Sequence, residues 1–167
     1  MEKKPVWIAG IARGHNAGVC LLKDGKIVFA IEEERLTRQK YDGGPYASMM
    51  KILEYTDRLD FLVVAHTQNL QRTAGRVDFS GDDVYTGLAR KMGLISRKPY
   101  SPEENHPQVI DYSHIHHKLH AATAFYRSGF DSAVAVIVDG AGTFIDLQTN
   151  QEPMTVWETE TIFYCSF

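Results

Sequence analysis

The sequence predicts an α/β protein built on a mixed sheet of about five strands with flanking helices. Three observations favour this class. An Asp24-Gly25 pair lies between two apolar runs, which is the strongest local signal for a hairpin of antiparallel strands. Short apolar segments rich in strand-forming residues then alternate with segments of helical spacing. Hydrophobic residues make up 44% of the 167 residues, which is enough to build a core.

The predicted layout is strand, hairpin, helix, strand, helix, strand and hairpin. Pro45 fits the first turn of a helix in which Met49, Ile52 and Leu53 share one face. Gly129 ends the helix that begins near residue 113. In chain order, the elements are strands at 6–12 and within 17–34, a charged turn at 32–41, a helix from Pro45, a strand at 60–67, a helix within 81–94 capped by Asp82 or Asp83, a strand at 109–112, a helix at 113–129, a strand at 132–142 that ends in an acid and two glycines, and strands at 143–148 and 154–167.

Composition excludes several classes of protein. The formal net charge is -3 and the pI is about 6.1, which disfavours a nucleic-acid-binding surface. The two cysteines lie far apart without a CxxC pattern, so neither a disulfide framework nor a zinc ribbon is indicated. No segment approaches the roughly 20 apolar residues of a membrane span. A cytoplasmic protein that does not contact the membrane is therefore expected.

A run of histidines is the strongest chemical signal. Four of the seven histidines lie between His114 and His120. His116 and His120 are four residues apart, so on a helix both imidazoles face the same side and can bind one divalent ion. The zinc-protease signature does not apply, since His117 occupies the position of its glutamate. The alternative is a solvated helix face, but Asp139 at the end of an apolar strand favours a metal site.

Two glycine-rich loops are candidates for phosphate binding. The first, at residues 14–18, contains Gly14, His15 and Asn16 between two strands, where backbone N–H groups can face a phosphate. Alternatively, this loop is a Gly-Asn hairpin turn in which these residue types only satisfy the backbone geometry. The second loop follows Asp139 and contains Gly140 and Gly142. His15 adds a group able to carry a proton near neutral pH.

The charged segment at residues 32–41 has two readings. A dense mixture of both signs is usual for a solvated turn. The functional reading is that Arg35, Arg38 or Lys40 faces an anionic substrate. Only the position of the segment relative to the first glycine loop favours that second reading.

Three motifs, in this order, resemble the N-terminal part of the O-carbamoyltransferases. They are HNAG followed by the Asp24-Gly25 hairpin, EEERLTRQK, and HHKLHA followed by VDGAG. The resemblance is firm over residues 7–46 and 113–142 and faint over 68–108. The family includes enzymes that carbamoylate aminoglycoside and cephalosporin antibiotics and rhizobial nodulation factors.

This resemblance implies a fold and a chemistry. The fold is the first half of the actin-like ATPase (ribonuclease H-like) superfold, which the βββαβα order also matches. A YrdC-like domain makes carbamoyl-adenylate from ATP and carbamoyl phosphate, and the transferase domain moves the carbamoyl group to a hydroxyl of a small-molecule acceptor. A metal, often iron, binds the adenylate phosphate.

The resemblance also implies roles for individual residues. Two of them would lie beside the carbamoyl group or its anionic precursor, three would bind the metal, and the glycine loops would face the nucleotide. The catalytic candidates are His15 and Lys40, the metal ligands His116, His120 and Asp139, and the nucleotide-binding residues Gly14, Asn16, Gly140 and Gly142.

Residues 1–167 are expected to be the N-terminal half of a transferase domain, without its second half and without the YrdC-like domain. The chain is expected to act as an enzyme only when those segments complete it, for example on a second polypeptide. Two alternatives remain. One is a relative of the enzyme that transfers threonylcarbamoyl groups to tRNA, and the other is a non-catalytic binding module that kept an actin-like half.

Overall fold

The computed structural model describes residues 3–12, 16–65, 84–96, 107–112, 114–150 and 152–167. They belong to two compact units, Met1–Asp111 and Tyr112–Phe167. No helix within the described ranges combines the length and the apolar character needed to cross a membrane.

The first unit is built on a five-stranded sheet with the order β3-β2-β1-β4-β5. Its strands are β1 (Trp7–Ala12), β2 (Gly18–Lys23), β3 (Lys26–Glu32), β4 (Phe61–Val64) and β5 (Val109–Asp111). The first three strands pair antiparallel, whereas β1–β4 and β4–β5 pair parallel. The predicted mixed five-stranded α/β sheet is therefore confirmed.

The hairpin between β2 and β3 turns at the predicted pair. Asp24 has φ 51° and Gly25 has φ 78°, so both central residues are left-handed, as a type I′ turn requires. The Asp24 carboxylate also accepts a hydrogen bond of 2.9 Å from the backbone N–H of Val6. This contact ties the turn to the residue that precedes β1.

Three helices accompany this sheet: α1 (Glu33–Thr37), α2 (Tyr46–Lys51) and α3 (Val84–Met92). The segment predicted as a charged turn thus begins with a short helix. Met49 and Ile52 are buried, whereas 44% of Leu53 is exposed, so the predicted common face includes only the first two. The chain changes to a 3₁₀ turn at Ile52–Glu54, which rotates Leu53 away from the buried face. The predicted caps Asp82 and Asp83 lie outside the described residues.

The core of the first unit lies on one face of the sheet. In β1 the buried residues alternate, so that Trp7, Ala9 and Ile11 point to the same side. They pack in one cluster with Leu21 of β2 and Leu62 of β4, together with Met49, Ile52 and residues from and after α3. The alternation explains why the apolar runs of the sequence form strands with one covered face.

The second unit contains α4 (His116–Ser128), β6 (Ser132–Val138), β7 (Phe144–Leu147), β8 (Met154–Trp157) and β9 (Glu160–Ser166). Strands β6 and β9 pair antiparallel, as do β7 and β8. Helix α4 packs on β6 and β9. It ends at Gly129, whose φ of 75° is the left-handed cap that the sequence predicts.

A buried carboxylate joins α1 to α2 in the first unit. Glu33 is 1% exposed. One of its oxygens accepts the Ala47 N–H at 2.6 Å, and the other accepts the N–H and the hydroxyl of Ser48 at 2.8 and 2.6 Å. Because the first N–H groups of a helix have no partner inside it, Glu33 acts as the cap of α2 from outside that helix.

Replacing Glu33 with alanine should therefore lower the free energy of unfolding by about 1–3 kcal/mol, since the two buried donors of Ser48 and the partly buried N–H of Ala47 lose their acceptor. Urea denaturation measures the change. The control is Glu32→Ala, which removes only an exposed ion pair with Arg35 and should have little effect. Equal stability of the two variants would contradict the capping role.

A second carboxylate stabilises the start of β1 in a pH-dependent way. Asp60 accepts the Trp7 N–H at 2.7 Å and an Arg58 N–H at 2.8 Å. The Trp7 hydrogen bond lowers the pKa of Asp60, burial opposes that change, and Arg58 lowers the pKa further. The folded-state pKa thus lies below that of the unfolded chain, so the stabilisation is present above the unfolded value of about 3.9 and is lost as the pH falls through the folded value.

The stability difference between the wild type and Asp60→Asn should accordingly be largest near neutral pH and should shrink on acidification below about pH 4. Denaturant unfolding at a series of pH values measures it. Asp57→Asn, at an exposed position nearby, serves as the control. A difference that stays constant across the pH series would show that the Asp60 charge contributes nothing.

Candidate metal centre

The second unit brings three potential ligand atoms together. His116 and His120 lie one turn apart on α4, and Asp139 follows the last residue of β6. The Nε2 atom of His116 lies 3.0 Å from that of His120 and 2.8 Å from Oδ2 of Asp139. The Nε2 atom of His120 lies 3.4 Å from the same oxygen. These distances define a small triangle of two nitrogens and one oxygen.

A divalent first-row ion fits this triangle. With metal–ligand bonds of about 2.0–2.2 Å, neighbouring ligands lie about 3.0 Å apart in octahedral and about 3.4 Å apart in tetrahedral geometry. The observed edges of 2.8, 3.0 and 3.4 Å span this range. A set of two imidazoles and one carboxylate suits iron, zinc or manganese and leaves coordination positions for other ligands. His116, His120 and Asp139 form a potential ligand group by proximity.

The electrostatics of Asp139 favour its role as a ligand. The hydrogen bond from His116 lowers the pKa of this carboxyl group, burial acts in the opposite direction, and the Gly140 N–H and the neighbouring histidines lower it further. The carboxyl group is therefore ionised at neutral pH, as a metal ligand must be.

Backbone and side-chain contacts attach the Asp139 loop to the start of α4. The His116 N–H donates to the Thr143 hydroxyl at 3.1 Å, which satisfies one free donor of the helix. Glu158 in turn accepts the Thr143 N–H at 3.0 Å. Burial acts to raise the pKa of Glu158, but hydrogen bonds from Thr143 and His117 lower it overall. An ionised carboxylate thus joins the loop to the first turn of α4.

The other two histidines of the run are outside the triangle. His117 is fully buried and turns towards β9, where its Nδ1 atom lies 2.7 Å from the Thr161 hydroxyl. His114 is exposed in the turn before α4. His117 therefore points away from the ligand triangle, and His114 lies in solvent just before the helix starts.

The roles of the catalytic and nucleotide-binding candidates stay predictions. Asn16 lies exposed in the turn before β2, and the exposed Lys40 places its Nζ atom 4.9 Å from the centre of the Tyr41 ring, both in the first unit. Gly140 is exposed and donates its N–H to its neighbour Asp139 at 2.7 Å, whereas the buried Gly142 donates to the Glu158 carbonyl at 2.6 Å. His15 and Gly14 lie outside the described residues.

Sequence reasoning missed three residues that shape the site. Thr143, Glu158 and Thr161 had no assigned role, although each contacts the first turn of α4 or the Asp139 loop. Thr143 follows the predicted glycine loop directly and was the one with a local signal. The other two lie on or before β9, and only the pairing of β6 with β9 brings them near α4.

Comparison with known proteins identifies the family. The family model described as "Carbamoyltransferase N-terminus" matches residues 7–163. The chain belongs to this family. The chain is 29% identical over 139 residues to Nodulation protein NolNO from Sinorhizobium fredii. The matched residues cover 78% of this chain and 20% of that protein.

Two further relatives are similar to this carbamoyltransferase-family chain. The uncharacterised protein sll1178 from Synechocystis is 27% identical over 151 residues, which cover 77% of this chain and 24% of the relative. The uncharacterised protein MJ1051 from Methanocaldococcus jannaschii is 30% identical over 139 residues, which cover 81% of this chain and 22% of the relative. The chain thus spans between a fifth and a quarter of the length of these relatives.

If the triangle binds an ion, removing one ligand should weaken Co²⁺ or Zn²⁺ binding by more than about 100-fold, because groups that merely contact ligands are already worth about 10- to 100-fold. Titration calorimetry of His116→Ala and Asp139→Asn measures the loss. The matched control is His114→Ala, which removes an exposed histidine of the same run. Equal losses in all three variants would indicate surface binding, and no loss in the first two would exclude the triangle as the metal site.

The affinity for the metal ion should also decrease as the pH is lowered, because protons compete with the ion for the ligand atoms.

Proposed function

We propose that this chain supplies the N-terminal part of the transferase domain of an O-carbamoyltransferase, with an actin-like fold. The observation that carries the proposal is the triangle of His116, His120 and Asp139 in a chain of the carbamoyltransferase N-terminal family. The sheet order β3-β2-β1-β4-β5, with three antiparallel strands followed by two parallel ones, supports the actin-like half.

The proposed donor is carbamoyl-adenylate, made from ATP and carbamoyl phosphate by a YrdC-like domain. His116, His120 and Asp139 would bind the metal, for which iron is the favoured candidate. A bound divalent metal supplies positive charge that binds and polarises a phosphate. With that ion bound, the three side chains would orient the phosphate end of the donor. Gly14, Asn16 and the exposed Gly140 are the proposed contacts of the nucleotide, whereas the buried Gly142 already donates its N–H to the Glu158 carbonyl.

The proposed reaction transfers the carbamoyl group to a hydroxyl of a small-molecule acceptor. The acceptor oxygen forms a bond to the carbamoyl carbon, and its proton passes to His15 as general base. The bond between that carbon and the phosphate oxygen breaks, and AMP leaves with the electron pair. Lys40 is the proposed cation beside the anionic donor. A second polypeptide carrying the rest of the transferase domain is the proposed partner.

The proposal predicts that the metal contacts the donor phosphate. Paramagnetic Co²⁺ bound to the chain should broaden the phosphorus NMR signal of a non-hydrolysable carbamoyl-adenylate analogue, since the broadening needs the phosphate close to the ion. The effect should disappear in a His116→Ala, His120→Ala double variant and persist in His114→Ala.

Broadening that the double variant retains would show that the analogue meets Co²⁺ elsewhere. If Co²⁺ binds at the triangle but the phosphorus signal is unchanged, the phosphate role is wrong and a non-catalytic module is favoured.

A further inference from the structure

One buried nitrogen in the second unit has no hydrogen-bond partner. His117 is 0% exposed, and whichever tautomer it adopts, its Nδ1 atom is paired with the Thr161 hydroxyl at 2.7 Å. Its Nε2 atom is the one buried side-chain nitrogen or oxygen without a partner in the described part of the chain. Burying such an atom is unfavourable, and the hydrogen bond of Nδ1 satisfies only one side of the ring.

The unpaired side of the ring faces Gly142. A Cβ atom built on Gly142 would lie 2.5 Å from Nε2 of His117, 2.6 Å from its Cδ2 and 2.9 Å from the Cβ of Glu158. These distances are far shorter than a normal carbon contact, so only glycine fits beside the ring. The shape of the imidazole and the missing side chain of Gly142 are therefore complementary.

This contact lies between the two halves of the candidate metal centre. His117 follows His116 on α4, and Gly142 lies in the same loop as Asp139. The position of the loop against the helix depends on how closely Gly142 approaches the ring. A movement of about 1 Å would break the 2.8 Å contact between His116 and Asp139.

We propose that His117 is a positioning residue of the metal centre and that Gly142 is its steric partner. The inference rests on the proposed metal role of His116, His120 and Asp139. The ring of His117 binds no ion. It sets the separation between the first turn of α4 and the Asp139 loop, and the Thr161 hydroxyl fixes the rotation of the ring.

The test compares Co²⁺ affinity and the visible absorption spectrum of bound Co²⁺ in matched variants of the whole chain. His117→Ala removes the ring, and Gly142→Ala forces a methyl group against it. Each should weaken Co²⁺ binding about 10- to 100-fold and change the spectrum, as is usual for groups that orient metal ligands. The exposed neighbour Lys118→Ala is the control and should bind as the wild type does.

A double variant makes the steric claim specific. In His117→Ala combined with Gly142→Ala, the added methyl group occupies part of the space that the ring left. Only its 2.9 Å approach to the Cβ of Glu158 remains, so the two losses should not add fully. The double variant should bind Co²⁺ at least about 10-fold more tightly than the sum of the single losses predicts. A general loss of folding gives no such recovery. Thermal unfolding of each variant, without metal, identifies any variant that does not fold.

The outcomes separate this inference from the proposed function. If His116→Ala abolishes binding while His117→Ala and Gly142→Ala bind Co²⁺ normally, the positioning role is overturned and the metal centre stands. If the losses of the single variants add fully, His117 and Gly142 act independently and the steric partnership is overturned. If the wild type binds no Co²⁺ through His116, both proposals fail together. If neither single variant folds, the recovery of binding in the double variant decides, and its absence overturns the partnership.

Discussion

The contact between the first turn of α4 and the loop after β6 is the constraint on which the candidate metal centre depends. His116 and His120 face the same side through helix geometry alone, but two imidazoles make only part of a metal site. The carboxylate of Asp139 reaches them because α4 packs on β6 so that the helix begins where the strand ends. Hydrogen bonds through Thr143 and Glu158 then fix the loop against the helix.

The same physical device recurs in both units: a partly or fully buried carboxylate satisfies backbone donors of a neighbouring element. Glu33 does so for the start of α2, Asp60 for the start of β1 and Glu158 for the loop beside α4. Each joins segments that the chain separates by many residues. Such contacts stabilise element ends, where backbone N–H groups have no partner within their own helix or strand.

Local signals in the sequence were sufficient for much of the fold. The Asp24-Gly25 turn and the Gly129 cap follow from conformations that those residues adopt readily, and the paired histidines follow from a four-residue spacing. The exposure of Leu53 was not predictable, since a change from α to 3₁₀ geometry shifts every later residue around the axis. The burial of His117 could not be predicted either, because its partner Thr161 is 44 residues away and reaches it only through strand pairing.

The charge of the triangle bears on what it can bind. Two neutral imidazoles and one ionised carboxylate would leave a divalent ion with a net charge of about +1. An ion with excess positive charge and open coordination positions attracts an anionic oxygen, and phosphate is the anion that the proposed donor carries. The buried ring of His117 contributes no charge to this balance when neutral, which suits a residue that sets distance and leaves the electrostatics to its neighbours.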